Sequence, residues 1–121
     1  MEKEYRLIKK ADYNRVYKYG KSTTNHQFVL FVLRNNQIEN FRLGISVSRK
    51  VGNAVVRNRV RRLVKEIVRS LKPCIAGHLD MILLARKPAA QMDFHQMEKS
   101  IVHVLKKASV YTQVKEEQKK P

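Results

Sequence analysis

Eight basic residues fall between positions 49 and 69, with a single acid, Glu66, among them. They are Arg49, Lys50, Arg57, Arg59, Arg61, Arg62, Lys65 and Arg69, and Asn53 and Asn58 are interleaved with them. Guanidinium groups bind phosphate oxygens through paired hydrogen bonds, and asparagine amides can reach a nucleic-acid backbone or a base edge. Helices laced with salt bridges mix their signs; this stretch does not. The like charges at i, i+4 (Arg57, Arg61, Lys65) would cost an isolated helix about 0.2–0.5 kcal/mol per pair. A polyanion would remove that cost, so the pattern points to phosphate-backbone binding.

A second group is aromatic. Tyr13, Val16 and Tyr17 stand at i, i+3, i+4, and Lys9, Lys10, Arg15, Lys18 and Lys21 surround the rings. Spacing alone favours packing both rings inward, as aromatic stripes mostly do. Rings set among cations are also how single-stranded nucleic acid binders stack bases. No catalytic arrangement is legible. His26, His78, His95 and His103 have no metal-ligand spacing, and no glycine-rich phosphate loop with its lysine is present. The ten acids are scattered and supply no paired carboxylates for metal-assisted phosphodiester hydrolysis. Cys74 is the single cysteine, which leaves no intrachain disulfide and no cysteine metal site. These residues describe a nucleic acid binder that is not a self-sufficient catalyst.

Composition agrees. Lysine and arginine number 26 against 10 acids, a net charge of +16 on 121 residues, far more than solubility requires. Such a field favours nucleic acid or an anionic membrane. The longest apolar run, Phe28 to Leu33, is far short of the roughly 20 residues that span a bilayer. The chain has no tryptophan to anchor an interfacial helix. The start, MEKEYRLIKK, has no apolar secretory core, so a cytoplasmic protein with no membrane partner is expected.

The elements that must position these groups follow from periodicity. One domain is expected over residues 1–121, with 1–9 and 112–121 as flexible charged tails. A first helix runs from Lys10 to Tyr19 and stops at Gly20. Lys21 to Asn25 is polar, with room for a short edge strand. Phe28 to Leu33 reads as a strand buried on both faces, Val29, Phe31 and Leu33 on one and Phe28, Leu30 and Val32 on the other. Phe41 to Ser48 alternates, with Phe41, Leu43, Ile45 and Val47 opposite Arg42, Gly44, Ser46 and Ser48. The two strands are close enough in sequence for an antiparallel hairpin. The small polar face of the second predicts a groove on the sheet. Gly52 suits a turn and Asn53 an N-cap, after which Val56, Val60, Leu63, Val64, Ile67 and Leu71 form a helical stripe. Lys72 to His78 reads as a loop, Leu79 to Ala85 as a third strong strand, and a last helix runs roughly from Asp93 to Val110.

Taken together, V-G-N-A-V-V-R-N-R-V-R-R-L, the earlier D-Y-x-x-V-Y-x-x-G, Q-F-V-L-F and R-L-G-I-S-V-S-R-K, and the late I-L-L-A-R-K-P-A closely resemble the bacterial ribonuclease P protein subunit, in that family's order, over roughly residues 5 to 111. The resemblance implies a small α/β (α+β) sandwich: a mixed sheet of about four strands with three helices and a left-handed β-α-β crossover through the basic helix. It implies a protein that joins a catalytic RNA, one to one, to remove the 5′ leader of precursor tRNA, the RNA holding the Mg²⁺ ions and the protein binding no cofactor or metal of its own. By position it implies that Arg49, Lys50, Asn53, Arg57, Asn58, Arg59, Arg61, Arg62 and Lys65 contact the catalytic RNA. It implies that Tyr13, Tyr17, Val29 and Phe31 bind the leader, tyrosine standing where the family mostly has phenylalanine. The competing readings are a ribosomal-type RNA-binding protein and a stand-alone nuclease.

Overall fold

The computed structural model describes residues 2–112; the tail expected over 112–121 lies outside them beyond Thr112. Four strands, β1 (Lys21–Thr24), β2 (Phe28–Arg34), β3 (Phe41–Val47) and β4 (Leu79–Ala85), form one sheet in the order β1-β2-β4-β3. Helices α1 (Lys10–Tyr19), α2 (Ala54–Leu71) and α3 (Phe94–Lys107) pack on its two faces. The expected bounds of α1 and β4 match these.

The hairpin expected between β2 and β3 does not form. β4 lies between them, antiparallel to β2 and parallel to β3. The reason is burial. β4 is the most buried strand, with six of its seven residues buried, and its two edges need strands on both sides. The parallel β3–β4 pair requires a crossover, and α2 supplies it.

The apolar stripe of α2 decides which face it covers. Val60, Val64, Ile67, Val68 and Leu71 are buried against Phe41, Leu43, Met81 and Leu83, with Met97, Ile101 and Val104 of α3 completing this main core. Asn53 caps α2 by accepting the Val56 amide at 3.1 Å, and Asp93 and Gln96 form a capping box at the start of α3. The opposite face is thinner. There Leu7, Val16 and Ile82 form a small second core, flanked by Tyr13, Phe31 and Leu33.

The described part of the expected N-terminal tail, residues 2–9, is folded onto the molecule. Arg6 bridges Leu43 in parallel, the Leu7 amide donates to the Leu43 carbonyl at 3.1 Å, and the Tyr5 ring tilts against Phe41 at 5.1 Å. Leu7 is 3% exposed. β3 is an edge strand, and this segment satisfies part of its free edge.

Candidate nucleic-acid interface

The register divides the α1 face of the sheet into cross-strand rows. Leu33, Asp80 and Arg42 make the first; Phe31, Ile82 and Gly44 the second; Val29, Leu84 and Ser46 the third. Helix α1 lies over the first two. Val16 packs on Ile82. Tyr17 meets Phe31 edge to face, ring centroids 5.0 Å apart, and stays 44% exposed. Tyr13 lies over Gly44, where a Cβ would run into its hydroxyl and ring. The third row is left open. Val29 and Leu84 are half-buried and belong to neither core, so they present an apolar floor beside the exposed Tyr17 ring. The groove expected from the small polar face of β3 is partly filled, because Tyr13 lies over Gly44; Ser46 and Ser48 beyond it are half-buried.

Cations stand at both ends of this cleft. A cavity of about 320 Å³ is lined by Val29, Ser48, Lys50, Leu84, Arg86, Lys87 and Pro88. Another, of about 300 Å³, lies beside Tyr13, with Arg6, Arg61 and Lys65 among its walls. Burial pushes the Tyr13 phenol up, the neighbouring Tyr17 adds to that, and Arg61 opposes it; Tyr13 therefore remains a neutral donor. The arrangement offers apolar and aromatic surface for bases, with cations placed for phosphates.

Helix α2 divides the predicted basic residues between its two flanks. Arg61 and Lys65, one turn apart, face the cavity beside Tyr13. Arg59 lies on the other flank and donates to the Met92 carbonyl at 3.1 Å. Asn58 and Arg62 are exposed between them, and Arg61 donates to the Asn58 side chain at 3.0 Å. Arg57 is partly buried, and its Nε has no hydrogen-bond partner among the described residues. Arg49 and Lys50, in the short turn Arg49–Val51, are exposed ahead of α2.

Sequence reasoning missed Leu84 and the Arg86–Lys87 rim, whose place beside Val29 depends on the strand order. It also missed the charged cluster under α1. Asp80 is fully buried in β4 and receives Arg42 Nε at 2.7 Å, Arg42 Nη2 at 2.9 Å and Asn35 Nδ2 at 3.0 Å. Burial alone would raise its pKa, but these hydrogen bonds and the charges of Arg42 and Arg15 outweigh it and hold the carboxyl below the usual carboxylate value. One acid in an otherwise apolar strand was the available signal. Among the described residues, no three His, Cys, Asp or Glu side chains gather as a metal donor set, and no helix is long and apolar enough to cross a membrane.

Comparison with known proteins closes the case for the family. A family model described as Ribonuclease P matches residues 1–109. The ribonuclease P protein component of Listeria innocua is 45% identical over 113 residues, which is 93% of this chain and 95% of the relative. The solved RNase P protein of Staphylococcus aureus superposes with a TM-score of 0.83 at 46% identity, covering 89% of this chain and 98% of that one. The RNase P protein of Thermotoga maritima does so with a TM-score of 0.77 at 34% identity, over 84% of this chain and 96% of that one. With these matches, and with the R-N-R helix and open cleft on one fold, the chain belongs to the ribonuclease P protein family.

Proposed function

We propose that the open cleft, with the cations at its two ends, holds the 5′ leader of precursor tRNA, while the residues of α2 and its preceding turn that face away from the cleft hold the catalytic RNA. As a ribonuclease P protein component, the chain works with an RNA subunit in the 5′ maturation of tRNA. The observation that carries the leader reading is the third sheet row: Val29 and Leu84 lie open and apolar beside the exposed Tyr17 ring. Leader bases would stack on Tyr17 and Phe31, and Arg61, Lys65 and Lys50 would neutralise leader phosphates at either end. Arg49, Asn53, Arg57, Asn58 and Arg62 would face the catalytic RNA. Arg59, engaged with Met92, would serve that surface from its margin.

The chain's own residues do no bond chemistry in this scheme. Magnesium ions would be held by the RNA, as the family resemblance implies. The protein screens phosphate repulsion between two RNAs and binds precursor in preference to product, because the product has no leader. One protein would pair with one RNA, in the cytoplasm.

The test is a reconstitution at low Mg²⁺ with purified protein, a bacterial ribonuclease P RNA and precursor tRNAs of graded leader length. Correct 5′ maturation should need both macromolecules, and the protein's benefit should grow with leader length until the cleft is filled. Equal benefit for leaderless and leader-bearing RNAs would sink the leader assignment.

A further inference from the structure

We propose that Arg42, clamped by Asp80, is a strut that fixes the seat of α1 on the sheet, so that Asp12, Arg42 and Asp80 are positioning residues for the cleft. The inference rests on the leader-binding reading above. Asp80 is 0% exposed, and an ion so buried is retained only with close partners. Arg42, on the adjacent strand, gives it two hydrogen bonds, and Asn35 adds a third. That fork uses Nε and Nη2. The remaining nitrogen, Nη1, is 3.6 Å from Asp12 Oδ2, in the first turn of α1. Asp12 is itself 8% exposed and is also paired with Arg15. One planar guanidinium therefore joins two strands to the helix above them.

Apolar packing could hold α1 down, but it is non-directional and would let the helix slide. The fork of two hydrogen bonds to Asp80 fixes where the Arg42 charge stands on the sheet, and the ion pair to Asp12 at 3.6 Å draws the first turn of α1 toward that point. The strut is also next to the parts it would set. Asp12 precedes Tyr13 directly. Arg42 is two residues before Gly44, under Tyr13, and Asp80 is two residues before Ile82, under Val16. A shift of α1 at Asp12 would move both tyrosines relative to the open third row. The charged cluster thus acts on leader binding through the helix, without touching the leader.

The test uses the reconstituted holoenzyme and two precursor tRNAs, one with a single-nucleotide leader and one with a leader of several nucleotides. Asp12→Asn cuts the strut at the helix end and leaves the Arg42–Asp80 fork intact. We expect KM for the long-leader substrate to rise about threefold or more, toward the short-leader value. At saturation kcat should hold, as should affinity of the protein for the catalytic RNA. Asp12→Glu, which restores the carboxylate, should recover most of the loss and remains informative if the amide variant folds poorly. Unchanged leader discrimination in Asp12→Asn overturns the strut. So does an equal loss across both substrates and the catalytic RNA, the mark of a residue that only supports folding. If the wild-type holoenzyme itself shows no leader preference, the leader cleft fails and the strut with it.

Discussion

Gly44 is where residue-scale reasoning bears most directly on the site. A Cβ there would meet the end of the Tyr13 side chain, which can swing away, and no backbone atom is among the nearest contacts. Gly44→Ala should therefore spare the fold and move the ring. We expect affinity for leader-bearing precursor to fall about threefold to tenfold, within the range of losing part of one stacking contact, with mature tRNA bound as before. Equilibrium binding of the two RNAs to the holoenzyme checks this. The tyrosines also show what spacing can and cannot say. The i, i+4 pattern placed both on one face of α1 correctly, but it could not distinguish a ring sealed in a core from one at the lip of a cleft. Tyr13 is half-buried and Tyr17 exposed, because α1 covers only the first two rows of the sheet and both rings stand at the edge of that cover. Asp80 was harder still. Its partner Arg42 is 38 positions away, and only the parallel pairing of β3 and β4 brings the two side by side.

At the scale of elements, α2 has three functions at once. Its stripe closes the core, its length carries the chain back for the parallel pair, and its outer surface carries the cations. The cap at Asn53 and the stripe were plain in the sequence, since both are local. The division of cations between flanks was not, because it depends on what packs to either side. That division makes a prediction. Arg62 is exposed and has no hydrogen-bond partner among the described residues, whereas Arg59 already donates to Met92. Arg62→Ala should lower the slope of log affinity for the catalytic RNA against log salt by about 1, as loss of one phosphate contact does. Arg59→Ala should lower it by less. Titrations across a salt series distinguish the two, and equal slopes for both variants would remove the distinction.

At the scale of the molecule, charge is unevenly used. A net charge of +16 repels itself in the free protein, yet two of the described acids, Asp80 and Asp12, are buried, and a third, Asp93, caps α3. Asp80 is held below the usual carboxylate value in the folded state. Its contribution to stability is therefore full above the unfolded value, about 3.9, and is lost as pH falls through the folded value. Asp80→Asn should lower stability near neutrality and flatten the acid limb of the stability–pH curve. Denaturant melts between acid and neutral pH measure both. The folded residues 2–9 belong to this scale too. Their charge made them look like a free tail, but one leucine and one tyrosine anchor them, and the free edge of β3 receives them.

The strand order carries a last consequence, for how the chain is made. β4 is one of the two interior strands of the sheet and the one that joins β2 to β3, yet it is the final strand to leave the ribosome. Until residues 79–85 emerge, β2 and β3 have no shared neighbour and α2 has only half a surface to cover. A nascent chain of some 78 residues can hold the β1–β2 pair and a nascent α2, but not the sheet. Closure must wait and then occur over long sequence separations, the slow kind of folding. Throughout that interval the most cationic helix of the protein is exposed beside the RNA of the machine that makes it.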